Sequence, residues 1–452
     1  YTFTLRAGAL WSDGVPVTAS DFVFGFRRIV DPMTAARYAS LLFPIKNAYQ
    51  INTGKLTPDQ IGVRAVDPMT LEITLESPSP FLPEMLTHYT TFAIPQHAYE
   101  HHGEDWVKPG NMVSNGPYIL EEWVSNAHVK VRKNPFFYDA ENVAIDTVYY
   151  YPIEDARMAL KMFRSREIDM NITTGGFPAA LIDDVLAEFP GEAKVYPYLG
   201  NSYLPFHTQK PPFDDVRVRK AVSMLIDREI INERIVNVGN TSAYAFVPPQ
   251  TNNHEPGAKL DFKVWSGPER MAEAKRLLAE AGYDEDNPLE FELVFRNSYD
   301  NGRRMAGIAA MLKRAGVIAN IAGSEARIAY NRMQGGDFVM GDAGWGADYN
   351  DPYNFLYLLL CDAGPMNYSQ YCNPEFDDVI EQASRTLDLQ ERASLMGKAE
   401  QIMLDDHPIV PVDFSTHRIL VSERVWGFAD AINNIHRTRY MTLDDTAATE
   451  LK

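Results

Sequence analysis

Cysteine is scarce in this chain: of 452 residues only Cys361 and Cys372 are cysteines, with ten residues between them in "CDAGPMNYSQYC". Two thiolates with no nearby histidine pair do not make a zinc site. The Gly-Pro and Asn-Tyr-Ser of the intervening segment describe a turn-rich loop able to bring the sulfurs together. A disulfide and an oxidising compartment are therefore expected, with two reduced thiols as the alternative. Long apolar runs are missing as well. "FLYLLLC" at 355–361 is far shorter than the ~20 residues a membrane-spanning helix needs. Basic side chains are outnumbered, 42 Lys and Arg against 61 Asp and Glu, and the net charge of −19 repels nucleic acid and anionic lipid. That balance suits a soluble monomer and favours a cationic or zwitterionic ligand over a phosphate. No G-x-S-x-G elbow, Walker loop or dinucleotide fingerprint occurs, and there is no internal repeat or low-complexity tract. No cofactor is expected, and no metal.

What is present is enough apolar material, 45% of the residues, for two or three lobes rather than one core. The chain opens with "YTFTL", which alternates like a strand, so it is expected to begin inside a structural element with an upstream portion missing. A helix starts at "TASDF", with Thr18 as N-cap and Asp21 three residues on, and ends at Asp31-Pro32. "IGVRAVDPMTLEITLES" reads as two strands around the Asp67-Pro68 turn, with Val63, Val66, Leu71, Ile73 and Leu75 giving the alternation. Beyond about 98, "NGPYILEEWV", "HVKVRKNPFFY" and "IDTVYYYPI" read as strands and "EDARMALKMFRSREI" as a helix. The clearest grammar is a strand at 289–295, a helix at 302–316, a strand at 317–323, a helix in "EARIAYNRMQ" and a strand in "DFVMGDA". This β-α-β-α-β order predicts a mainly parallel sheet, whose ligand sits beyond the carboxyl ends of its strands.

"GWGADYNDPYNF", 344–355, follows one of those ends and sets Asp348 and Asp351 among aromatics. A carboxylate held among aromatic rings calls for a cation. Asp348 is the candidate. Asp351 precedes Pro352 and reads better as an ordinary helix opening. Trp345 and Tyr349 are candidates for an apolar wall, with core filling an equal alternative for Tyr349.

Taken in order, "LRAGALWSDGVPVTASDFVFGFRRIVDP", "VSNGPYILEEW", "QKPPFDDVRVRKAVSMLIDREII", "AKRLLAEAGY" and "WGADYNDPYNF" closely resemble the extracytoplasmic oligopeptide-binding proteins of bacterial ABC importers, the peptide and nickel solute-binding family 5. The resemblance runs from residue 1 to about 440. It implies an α/β fold of two lobes closing like a clamshell, with an additional small α+β domain. The family's boundaries give 1–97 as the small domain, 98–199 with 416–452 as one gripping lobe, and 200–415 as the other, which carries the GWGADYNDP segment. The implied function is non-enzymatic: capture of short peptides between two lobes and delivery to the membrane permease of an importer. The implied place is the periplasm, or the outer face of the cytoplasmic membrane through a lipid anchor. The ammonium-binding aspartate of the family falls on Asp348, and an aromatic of its site on Trp345. Tyr38 and Tyr203 fall where members line the cleft with aromatics, and Arg332 at a basic position that can meet a carboxylate. Two departures stand out. Asp342 occupies a position where some members carry arginine, which puts anchoring of the peptide's carboxyl end in doubt. Gly200 replaces a cysteine that some members bridge to one near Gly346.

Rival readings are an opine, sugar-like, chelated-metal or haem receptor of the same fold, or an extracytoplasmic hydrolase using Asp348 and Asp351. The first needs no ammonium clamp. The second needs carboxylates placed on either side of a glycosidic bond, which a spacing of three does not provide. His97 and His101, with His102 beside them, have the spacing of a helical metal pair but no evident third ligand, and resemble a plain surface helix.

Overall fold

The computed structural model describes residues 1–36, 38–173 and 175–444, which form two compact units. The first comprises Tyr1–Asn171, Val421–Asp430 and the chain from Ile435; the second comprises Ile172–Leu420 and Ala431–Asn434.

In the first unit, β1 (Thr2–Thr4) and β2 (Val63–Asp67) flank β3 (Thr70–Ile73), both antiparallel to it. Helix α1 (Ala19–Val30) opens with the expected capping box, the Thr18 backbone N–H donating to Asp21 Oδ2 at 2.8 Å. Val63, Leu71 and Ile73 are buried as their alternation requires. Val66 is not: the register slips between Ala65 and Asp67, and that extra residue turns the Val66 side chain outward. A second antiparallel sheet follows from β4 (Tyr118–Val124), β5 (His128–Lys133) and β6 (Thr147–Tyr150), then helix α2 (Ala156–Arg164).

In the second unit a short helix over Ile182–Glu188 leads into the long strand β7 (Ala193–Pro205). Strand β8 (Glu290–Arg296) lies in parallel between β9 (Ile318–Ser324) and β10 (Met340–Gly341), and helices α3 (Tyr299–Lys313) and α4 (Ala326–Gln334) carry the chain between them. The β-α-β-α-β reading of the sequence is thus the observed one. Leu293, Val294, Ile308, Leu312, Met333 and Met340 belong to its buried core. One detail differs. "DFVMGDA" contributes only Met340–Gly341 to the parallel sheet; after Asp342 the chain enters β11 (Ala343–Gly346), antiparallel to β7 in another sheet. Gly344, Trp345 and Gly346 are therefore strand, not the loop expected after a strand. On the other side of β7 runs β12 (Ile409–Val421), also antiparallel.

The expected partition differs from these units. Residues 1–97 and 98–171 fall in one unit, and the boundary placed at 199 would cut β7, a continuous strand of 13 residues. Of the expected return segment from 416, residues 416–420 stay in the second unit and 445–452 lie outside the described residues.

Candidate ligand-binding site

Strand β11 is the edge of its sheet: in register, Trp345 opposes Asn201 and Gly346 opposes Gly200, and β7 is its one partner among the described residues. Past Gly346 the Ala347 N–H bonds the Leu199 carbonyl at 2.8 Å, and the chain turns away. The turn is fixed from the next helix, α5 (Tyr353–Leu356). The wholly buried Asn354 accepts at one oxygen both the Trp345 indole N–H and the Asp348 backbone N–H, each at 3.0 Å. One amide thus sets the height of the Trp345 ring and the direction in which the chain leaves at Asp348. The Asp348 side chain is half-buried, on a loop whose backbone is held from beneath.

Asp351 does open α5, accepting from the Tyr353 N–H at 3.0 Å. It does more than that. Arg392, in the first turn of α6 (Leu389–Asp406), donates to both its oxygens at 2.7 and 2.8 Å, and both side chains are fully buried. This second acid of the segment is committed to the scaffold.

Tyr198, on β7 two residues before Gly200, is not among the residues the sequence singles out. Its ring covers the two facing glycines. A Cβ on Gly346 would fall 2.0 Å from the Tyr198 Oη, and one on Gly200 2.7 Å from its ring carbons. The His417 ring from β12 packs against it, with centroids 4.1 Å apart. Burial raises the Tyr198 pKa, and the Asp348 carboxylate nearby raises it further, so the phenol stays protonated beside the acid. A readable signal existed: a glycine in a strand marks a close approach by another group, and the aromatic two residues away shares its face.

The other expected residues are placed as follows. Tyr203 and Tyr349 are packed inside, 4% and 5% exposed, Tyr203 edge-on to Phe246. Burial drives both phenols well above their usual pKa. As placed, both rings are packed in the interior. Arg332 on α4 is engaged by Glu292 at 2.5 Å and Asp337 at 3.3 Å, so two carboxylates already share its charge. Tyr38 belongs to the first unit, against the His88 ring at 5.5 Å. Trp345, Gly346 and Asp348 follow one another along β11 and the turn beyond it; Tyr203, on β7, opposes Ala343. Cys361 and Cys372 are joined by a disulfide, with Cα atoms 4.5 Å apart. His97 bonds Asp13 at 2.8 Å.

Asp342 is buried and holds Arg296, the last residue of β8, through Nε at 3.0 Å, with Asn301 Nδ2 on the same oxygen at 3.1 Å. Burial works against the Arg296 charge, but Asp342 together with Tyr330 and Tyr203 raises the guanidinium pKa.

Residues 1–367 match the family described as bacterial extracellular solute-binding proteins, family 5. The chain is 39% identical to the periplasmic oligopeptide-binding protein OppA of Escherichia coli K12, over 98% of this chain and 81% of that one. It is 36% identical to the "Probable deoxycholate-binding periplasmic protein YgiS" of the same organism, over 95% and 79%. Among solved structures, Haemophilus influenzae OppA in complex with RPPGFSPFR superposes with a TM-score of 0.87 at 31% identity, covering 98% of this chain and 87% of that one. Its fold, the edge strand with the loop beyond it, and these similarities together mean that the chain belongs to the bacterial extracellular solute-binding proteins of family 5.

Proposed function

We propose that this protein is an extracytoplasmic receptor for short peptides, which it delivers to the permease of an ABC importer, and that Asp348 takes the peptide's α-ammonium. The observation that carries this reading is an open-edged strand ending at an anchored carboxylate. An extended peptide can add to the free edge of β11 through its backbone, which is the part all peptides share. At the end of that edge, Asp348 sits on a turn fixed by Asn354 and offers a charge-assisted hydrogen bond to the one cation every free peptide carries. Trp345, in the same strand, supplies an apolar surface, and Tyr198 a protonated phenol beside the acid. Backbone pairing plus one terminal charge gives affinity without dictating side chains, so broad specificity follows.

The protein acts by binding and not by catalysis, as a monomer, in the periplasm or anchored by lipid at the outer face of the cytoplasmic membrane. The likeness to YgiS favours one other reading, a receptor for an acidic steroid. Such a ligand has no ammonium, and Asp348 would repel its carboxylate.

Native mass spectrometry of the purified protein tests the choice. Copurifying masses that match short peptides support the receptor reading. One fixed non-peptide mass supports the rival, and continuous release of cleaved products would overturn both.

A further inference from the structure

Arg296 has features that the ammonium clamp does not use. It is the last residue of β8, the central strand of the parallel sheet, so it stands at the carboxyl end where ligands of such sheets bind. Asp342 takes only its Nε. Among the described residues no carboxylate is hydrogen-bonded to Nη1 or Nη2, and the side chain remains 25% exposed. The guanidinium is held over the Tyr330 ring, 5.4 Å from its centroid. Its Nη2 lies 3.8 Å from the point where a Cβ on Gly344 would be, so the bare backbone of β11 leaves that flank clear. An arginine fixed at Nε by a buried acid and engaged by the Tyr330 side chain still has no carboxylate on its terminal nitrogens among the described residues. A carboxylate fits the edge these nitrogens form with two parallel hydrogen bonds.

Gly344 and Asp348 are four residues apart on the same strand and turn, at most about 14 Å of chain. We infer that Arg296 is a specificity-determining contact for a ligand carboxylate lying about three to four residues from the ammonium at Asp348. This inference rests on the peptide-receptor reading. The positive charge missing at position 342 is supplied instead from the neighbouring strand, with Asp342 turned into the group that orients it. The carboxylate has two possible sources, the peptide's C terminus or an acidic side chain near it.

Random-sequence tripeptides, prepared as free acids, as C-terminal amides, and as C-terminal amides with glutamate at the third position, are titrated into the wild-type protein and into Arg296→Met. The acid-to-amide affinity ratio is read within each protein, so a general loss of affinity cancels. In the wild type the free acids are expected to bind about 10- to 100-fold tighter than the amides, and the ratio to fall toward one in Arg296→Met. Glutamate amides recovering the free-acid affinity would identify the side chain as a source; amides that stay weak would identify the C terminus alone. If Arg296→Met does not fold, Arg296→Lys keeps a charge for Asp342 and removes the fork, and its ratio is expected to fall at least several-fold. Equal ratios in wild type and variant overturn the inference while leaving peptide binding intact. Absence of any tripeptide binding to the wild type overturns the receptor reading itself.

Discussion

Arg392 grips Asp351 with both terminal nitrogens, 2.7 and 2.8 Å from its two oxygens, in a place where neither side chain reaches solvent. Of two acids three residues apart, Asp351 ties the segment to α6, and Asp348 lies on the turn just past the end of β11. Removing one member of such a pair strands the other as a buried charge. Asp351→Asn is expected to cost about 3–5 kcal/mol in urea unfolding. Adding Arg392→Met should restore part of that loss, because the stranded charge is gone. A cost under about 1 kcal/mol for the single variant would contradict the structural assignment of Asp351.

Asn354 is the second support. Asn354→Ala leaves the Trp345 indole N–H and the Asp348 backbone N–H without their shared acceptor. A loss of about 1–3 kcal/mol is expected, together with weaker peptide binding as the turn loosens. Isothermal titration and denaturant melts on the same preparation check both.

For Asp348 itself, Asp348→Asn should weaken free-amine peptides by about tenfold or more and leave N-acetylated ones nearly unchanged. Parallel titrations of the two peptide forms give the answer, and equal losses for both would remove Asp348 from the ammonium site.

His407 makes stability sensitive to acid. Its ring is buried against Phe262, and its pKa is lowered to about 3, first by burial and then by Lys220, with Arg219 and Arg228 acting in the same sense and Asp261 opposing. Because the folded value lies below the ordinary 6.5, the unfolded chain binds the proton first. The contribution is complete above pH 6.5 and is lost as pH falls from there toward about 3, with a slope of up to about 1.4 kcal/mol per pH unit. Position 407 has a left-handed backbone, φ 50°, which asparagine tolerates. His407→Asn should therefore flatten the acid side of the stability curve measured by urea melts between pH 7 and pH 4. An unchanged slope would show that other groups carry the acid sensitivity.

The elements that could be read from the sequence are those specified by near neighbours. The capping box of α1 needs only Thr18 and Asp21, and the β8-α3-β9 succession needs only local periodicity. What escaped was set at long range. Nothing near Asp351 announces Arg392, 41 positions away, and Val66 reads as a core residue until a bulge rotates it out. Tyr198 is one tyrosine among 23 until Gly346, far along the chain, is laid beside Gly200. Asn354 and Arg296 are residue types that usually face solvent, and only the fold shows what each of them holds. Asp348, Trp345 and Gly346 could be picked out as candidates because they adjoin one another in the chain and the segment that carries them resembles a family's motif.

The tyrosine lying across Gly200 and Gly346 has an evolutionary corollary. Even the smallest side chain at either position collides with that ring, so alanine or serine, each one nucleotide from a glycine codon, has no room while the phenol stays in place. Divergence at this spot then requires the ring to shift or to be replaced as either glycine gains a side chain. Lineages that still carry the tyrosine in this place should hold both bare positions unchanged.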